Sequence, residues 1–267
     1  MYSIYHNGSL CFAMAKNTPY TRKEYLKAGT YQLTIPSDVT EIVVTGCGGG
    51  AGGVTLGAYN QSPAITLQAG NGGDTKVGSF VIAGGKGGKG TLAAGNAMTI
   101  TQPNASTPNG IKGETKQGRN VDFILQGSGF TYGETANAKQ ADIMNNIGYY
   151  SRRSNTINDT NYTSTGVGTV EGYGVYGAGG GTYHFYDSDG TSNQIGIAGN
   201  SGAFVSKQKV AVTAGSTITI VVGAGGKHAF YSNDGDGARR FRVTDGTHGF
   251  VIVEYGNSTL YMPEYIN

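Results

Sequence analysis

Gly48-Gly49-Gly50-Ala51-Gly52-Gly53 satisfies the G-x-G-x-x-G spacing with which a backbone approaches a dinucleotide pyrophosphate, and it comes after a strand-like run, Glu41 to Thr45. That chemistry needs a helix N-terminus directly after the glycines, to aim amides and a dipole at phosphate. The next residues are instead Val54, Thr55, Gly57 and Asn60-Gln61-Ser62-Pro63, with no amphipathic period, so the match is read as a by-product of abundant glycine. Gly84-Gly85-Lys86-Gly87-Gly88-Lys89 likewise lacks the hydroxyl and the helix of a phosphate loop. Asp187-Ser188-Asp189-Gly190 and Asp234-Gly235-Asp236-Gly237 place carboxylates two apart, as a hard cation would use them, but without the rest of a calcium loop. Asp-Gly is ordinary turn chemistry, which is the preferred reading. Nothing makes these carboxylates converge as a glycosidase pair. His6, His184, His228 and His248 are scattered, and no G-x-S-x-G elbow is present. Cys11 and Cys47 have no metal-ligand spacing; a disulfide between them and two free thiols both stay open, with free thiols preferred. The sequence therefore assigns no enzyme, no cofactor and no metal.

Binding chemistry is easier to find. Tyr149-Tyr150-Ser151-Arg152-Arg153, Tyr162, Tyr173, Tyr176 and Tyr183-His184-Phe185-Tyr186 fall in stretches with little core periodicity. Tyr offers a flat apolar face and a hydroxyl at low entropic cost, so exposed Tyr among Ser, Asn and Gly is binding-loop chemistry. Tyr149, Tyr150, Arg152, Arg153, Tyr162, Tyr183, His184, Phe185 and Tyr186 are the candidate receptor-binding residues. The competing reading is that these rings fill a core, since the chain has 18 Tyr and 9 Phe but no Trp. Arg239-Arg240-Phe241-Arg242 reads as a solvated strand face.

The elements that must position these residues are strands. Gly makes up 47 of 267 residues and charged residues only 13%, while Val, Ile, Thr and Tyr recur in runs. That is the reverse of a disordered composition, and there is no Gly-X-Y period for collagen. A net charge of +2 argues against nucleic acid or an anionic membrane as partner. No apolar stretch is long enough for a membrane helix, and Leu10 to Ala15 lacks a basic leader. Synthesis in the cytoplasm without a signal peptide, with delivery as part of a virion or by another route to the outside, is the expectation.

Tyr31 to Ile35, Glu41 to Thr45, Val77 to Ala83 and Gly249 to Tyr255 read as strands; Val210 to Thr213 and Thr217 to Val222 read as a hairpin about Ala214-Gly215. Ala136 to Asn146 is the one helix candidate. Glycine clusters at 48–53, 70–73, 84–90, 177–181 and 223–226 tend to come directly after strands. They read either as flexible loops or as threefold polyglycine helices, packed closely enough for Cα–H···O contacts. Residues 91–170 are polar and read as an insertion. The expected organisation is an attachment segment over 1–28, a glycine-rich β domain over 29–256 with that insertion, and a tail over 257–267.

Gly29 to Gly46 with Gly48 to Gly53 after it resembles the opening of a glycine-rich domain of phage and prophage tail fibres. Asn71 to Thr75, Ala83 to Gly88, Val212 to Gly226 and Gly249 to Tyr255 match later parts of it in order, so the resemblance spans Gly29 to Tyr255 less the polar stretch. It implies an all-β fold: an antiparallel β-sandwich whose connections form a bundle of polyglycine II helices. In this it is similar to the glycine-rich extracellular domain of the anaplastic lymphoma kinase family. It also resembles the glycine-rich tip adhesins of T-even-like phages, in which variable loops between glycine motifs contact the host receptor and no catalytic residues are carried. The partners it implies are a bacterial surface glycan or outer-surface protein, and a tail-fibre protein or further copies of the chain. A structural fibre cap and a glycan-cleaving enzyme are the rival functions.

Overall fold

Glycine-rich segments carry the chain back and forth between two sets of β-sheets. The computed structural model describes residues 2–6, 9–14, 18–59, 64–94, 97–119, 121, 123–125, 127–133, 142–144, 173–184, 192–232 and 241–256. Among them are seven crossings. Residues 48–53 join Glu41–Cys47 to Val54–Tyr59, residues 69–74 join Ile65–Gln68 to Thr75–Val77, and residues 83–88 join Phe80–Ile82 to Lys89–Leu92. Residues 177–181 join Tyr173–Tyr176 to Thr182–His184, and residues 198–203 join Ser192–Ile197 to Phe204–Ala211. Residues 223–228 join Thr217–Val222 to Ala229–Ser232, and residues 244–249 join Phe241–Val243 to Phe250–Tyr255.

At one end two antiparallel sheets form a sandwich. One has the order Phe204–Ala211, Glu41–Cys47, Phe250–Tyr255, Thr21–Tyr25; the other has Gly29–Thr34, Thr217–Val222, Thr75–Val77, Phe80–Ile82. Period-two alternation puts Leu33, Ile42, Val44, Ile220, Val251 and Val253 between them. Each such side chain, fully buried, contributes about 1.5–3 kcal/mol of apolar transfer. The expected hairpin over 210–222 is instead a crossing between the sheets. Phe204–Ala211 pairs with Glu41–Cys47, whereas Thr217–Val222 pairs with Gly29–Thr34. The two arches, 35–40 and 212–216, travel together and bond each other through Ile35 N to Ser216 O (2.8 Å) and Val212 N to Thr40 O (2.9 Å). The single strand expected over Val77 to Ala83 is a hairpin, Thr75–Val77 with Phe80–Ile82, turned at Gly78, whose φ is +58°. No α-helix occurs among the described residues; Asp142–Met144, inside the helix candidate, is a strand paired with Gly129–Gly133.

The crossings form a bundle around residues 48–53. Amides of that segment donate in rotation: Gly48 to Ala203 O, Gly49 to Gly73 O, Gly50 to Thr247 O, then Ala51 to Asn200 O, Gly52 to Gly70 O and Gly53 to Thr244 O, at 2.8–3.2 Å. The recipient segment repeats every third residue, the period of a threefold extended helix. Three further segments donate to its carbonyls: Gly85 N to Gly49 O, Gly226 N to Gly50 O and Gly180 N to Ala51 O, each 2.8 Å. These six neighbours bond one another in a closed ring, for example through Gly72 N to Gly85 O, Ala203 N to Ala83 O, Gly199 N to Gly180 O, Thr247 N to Ala178 O, Gly246 N to Gly226 O and Gly73 N to Ala224 O. The glycine clusters are therefore hydrogen-bonded scaffold, and the flexible-loop reading of them does not hold.

Packing seven backbones this closely leaves little space for side chains inside, and the central segment holds only the Cβ of Ala51. A Cβ on Gly49 would lie 2.1 Å from Ala224 O, and one on Gly52 2.0 Å from Lys227 O. The Cα–H bonds thus point at carbonyl oxygens, a weak but repeated attraction.

The polar stretch 91–170 is partly built into this scaffold. Met98–Thr101 pairs with Lys89–Leu92, and Thr115–Arg119 pairs with Ser192–Ile197. Ser201 N donates to Ile111 O and Ala198 N to Glu114 O, adding an outer layer to the bundle. Asn200, fully buried, orders it: its amide nitrogen donates to Pro103 O and Asn104 O, while its oxygen accepts from Gln102 Nε2 and Gly113 N.

Candidate functional site

Beyond the bundle the crossings open into a second set of sheets. Thr115–Arg119, Ser192–Ile197, Val54–Tyr59 and Ala229–Ser232 form one sheet, whose last pair is parallel. Met98–Thr101, Lys89–Leu92 and Ile65–Gln68 form a second, and Phe123–Leu125, Thr182–His184 and Phe241–Val243 a third. Val54, Leu56, Ala58, Leu92, Ile195 and Ile197 make their shared core, with Phe123, Leu125 and Ala198 a smaller cluster beside it. Strand register brings the ends together: Tyr59 sits opposite Ser192, Asn193 opposite Arg119, and Gly57 opposite Ser232. Phe123, His184 and Phe241 line up across the third sheet. Chain segments 60–64, 185–191 and 233–240 each join two of these strand ends. They are the turnarounds farthest along the chain from the sandwich crossings, and this end is the candidate site.

The structure treats the candidate residues unequally. Tyr149, Tyr150, Arg152, Arg153, Tyr162, Phe185 and Tyr186 lie outside the described residues, as do both Asp-Gly turns. Tyr183 is in the third sheet, opposite Ile124 and Arg242. His184, expected in an exposed cluster, is a correction: it is 2% exposed. Strand alternation turns it inward, against the Phe123 ring at 5.6 Å. Val121 O can only accept, so His184 Nδ1 donates to it (2.9 Å), and Nε2 accepts from Gln194 Nε2 (3.2 Å). Gln194 Oε1 accepts from Val121 N (2.8 Å), closing a triangle of bonds. This histidine locks Val121 and two strands together rather than facing a ligand. Beside it the Thr55 and Thr182 hydroxyls pair, both fully buried.

Other aromatics also serve the core. Tyr176 packs on Phe250 (4.9 Å between ring centroids) and Phe130 stacks on Phe204 (4.7 Å), with Cys47 buried beneath. These contacts fasten the sheet of Gly129–Gly133, Asp142–Met144 and Tyr173–Tyr176 to the flank of the sandwich. Cys47 is a free thiol, and burial pushes its ionisation far above the ordinary thiol range. It belongs to an apolar cluster with Phe130, Phe204 and Phe250, which suits a small hydrophobe and not a nucleophile.

Charge is sparse, and two carboxylates gather most of the ion pairs among the described residues. Asp245 accepts from Lys227 Nζ (2.6 Å), His228 N (2.9 Å) and His228 Nδ1 (2.7 Å). Partial burial opposes its ionisation, but Lys227 and His228 outweigh it and hold the carboxyl below the usual range. On the sandwich, Glu254 meets Lys207 Nζ (2.7 Å), Arg22 Nη1 (3.5 Å) and the Tyr20 hydroxyl. No group of three or more potential metal ligands occurs among the described residues. No protein-family model matches the sequence, and no curated protein matches it significantly.

The sequence offers Tyr183 to Tyr186 as binding residues, of which His184 is buried and Phe185 and Tyr186 lie outside the described residues, and it does not single out 60–64 and 233–240 as further segments that join strand ends of these sheets. Their signal was available: each is a polar stretch between a strand that comes after one glycine segment and a strand that precedes the next.

Proposed function

We propose that this chain is a non-enzymatic receptor-binding module of a phage tail fibre or a similar particle. It would recognise a bacterial cell-surface glycan or protein through tyrosine-rich segments, act at the fibre tip or otherwise outside the cell, and need no cofactor. The observation that carries this reading is the gathering of strand ends beyond the bundle. The strands that end at Tyr59, His184 and Ser232 leave the same end of a hydrogen-bonded scaffold, and segments 60–64, 185–191 and 233–240 come after them in the sequence. Loops on a rigid support are where binding residues concentrate, because the support bears the cost of ordering them. Tyr183 lies in a strand that ends here, and Phe185 and Tyr186 come directly after it in the sequence; Tyr149, Tyr150, Arg152, Arg153 and Tyr162 are a second set of candidates. The resemblance to tail-fibre glycine-rich domains supports the same reading, and it leaves a structural cap as the rival.

The test is binding of fluorescently labelled protein to a panel of intact bacteria. Two variants accompany the wild type, Tyr183→Ala/Phe185→Ala/Tyr186→Ala and Tyr149→Ala/Tyr150→Ala/Arg152→Ala. Saturable binding to some strains, lost in either variant, supports an adhesin and assigns its site. Binding that survives both keeps the function and rejects these residues. No binding to any strain shifts the function to the structural cap.

A further inference from the structure

The sandwich has four sheet edges with no further strand beside them among the described residues, and three carry features that resist pairing with another chain. Thr21–Tyr25 presents Arg22, Lys23 and Glu24. Phe204–Ala211 presents Lys207 and Lys209 and is bulged between Val205 and Gln208, with Lys207 at φ +53°. Phe80–Ile82 is only three residues long. Charges, bulges and short length are the usual protections of an edge. The fourth edge, Gly29–Thr34, is six residues long and has no charge, no proline and no bulge.

Its open hydrogen-bonding groups can be identified. Ile35 N donates to Ser216 O, so by antiparallel alternation residues 33, 31 and 29 turn their backbone groups toward Thr217–Val222. Gly78 N donating to Thr219 O, on the other side of that strand, fixes the same alternation. The amides and carbonyls of Thr30, Gln32 and Thr34 therefore point away from the sheet, and no backbone bond reaches them among the described residues.

We propose that Gly29–Thr34 pairs antiparallel with the same strand of a second copy of this chain, about a two-fold axis at Gln32. Gln32 then faces Gln32 of the second copy, and Thr30 and Thr34 face its Thr34 and Thr30. All three are hydrogen-bonded pairs, because the outward groups belong to those residues. The outer face continues without charge: Thr34 already meets the Thr217 hydroxyl (3.2 Å) and Gln32 that of Thr219 (3.3 Å). Tyr31 and Leu33 keep their places on the core side. The edge is self-complementary in this register, since Thr30 and Thr34 exchange places across the axis and Gln32 meets itself, setting one uncharged polar row against another. A two-fold contact of this kind is closed, so it yields a dimer and not a fibril.

Sedimentation velocity on the full chain, from low to high micromolar concentration, tests this. A species of twice 27.6 kDa is expected. Thr30→Lys/Thr34→Lys sets Lys against Lys at two pairs and should halve the mass, whereas Thr30→Glu/Thr34→Lys sets Glu against Lys and should keep the dimer. Hydrogen exchange on the wild type gives an independent reading, with the Thr30, Gln32 and Thr34 amides expected to gain protection as concentration rises. A wild type that stays monomeric throughout, or two variants that behave alike, overturns the proposal, as does exchange at these amides that ignores concentration.

Discussion

Gly50→Ala adds one methyl group and should be among the most damaging single changes in the chain. The new Cβ would lie 1.9 Å from Ala178 O, 2.2 Å from Ala178 C and 2.7 Å from Gly179 N, all backbone atoms. A carbon approaches a carbonyl oxygen no closer than roughly 3.3 Å, so residues 177–181 would have to retreat by about 1.4 Å. They are held by Thr247 N to Ala178 O, Gly179 N to Ser128 O and Gly180 N to Ala51 O. Losing two of these leaves buried groups unsatisfied at about 1–3 kcal/mol each, so the expected cost is about 2–6 kcal/mol. Against a total stability of about 5–15 kcal/mol, that moves the protein close to unfolding. Gly215→Ala is the contrast: its Cβ meets nothing within 4 Å, and only the φ of +74° penalises it, by about 1 kcal/mol. Urea denaturation monitored by circular dichroism compares the two midpoints with wild type. A Gly50→Ala variant within about 1 kcal/mol of wild type, or one less affected than Gly215→Ala, would show that the bundle can open to admit a side chain and refute the close-approach account.

Two further outcomes concern groups outside the bundle. Burial raises the Glu254 pKa, but hydrogen bonds from Lys207 and Tyr20 and the charges of Lys207 and Arg22 outweigh it, leaving a net lowering. A lowered carboxylate stabilises the fold above its unfolded value of about 4.3, and that contribution is lost as pH falls through the folded value. Glu254→Gln should therefore cost about 1–3 kcal/mol at neutral pH and much less in acid; an equal gap between the urea midpoints at both pH values would count against the ion cluster. In a Cys11→Ser background Cys47, buried and pushed toward the thiol form, should resist an aromatic disulfide reagent until urea unfolds the chain; prompt stoichiometric labelling in native buffer would contradict its burial.

Strand positions were legible by two signals: Leu33 alternates with polar Gln32 and Thr34, while Ile42 to Val44 and Phe250 to Val253 are short apolar runs rich in β-branched residues. Which sheet a strand joins was not. Ala214-Gly215 has the chemistry of a hairpin turn, but pairing with the neighbouring arch sends Thr217–Val222 across the sandwich. Local residues cannot distinguish a chain that folds back in its own sheet from one that changes sheets, since both need the same turn. Five bundle segments stood out by glycine content, and two, 198–203 and 244–249, did not. Their side chains conceal them: Asn200 binds the outer layer at Pro103 and Asn104, and the Thr247 hydroxyl accepts from Ala178 N. His184 was misplaced for a related reason, because alternation in a three-residue strand is too short to reveal which face is inward.

These differences among the crossings arise from how many neighbours each one has. Residues 48–53 touch six backbones, are buried throughout, and hold a single Cβ, at Ala51. Three outer crossings have an exposed side, at Asn71, at Lys86 and at Ala224 with Lys227, whereas 177–181 and 198–203 are buried throughout. Glycine is thus demanded by position in the bundle and not by any turn conformation, since most of these glycines carry no positive φ. The ring of hydrogen bonds closes on the crossings themselves, so the support is set before the chain reaches the strand ends at Tyr59, His184 and Ser232, and length or chemistry beyond those ends is what such a support leaves free to vary.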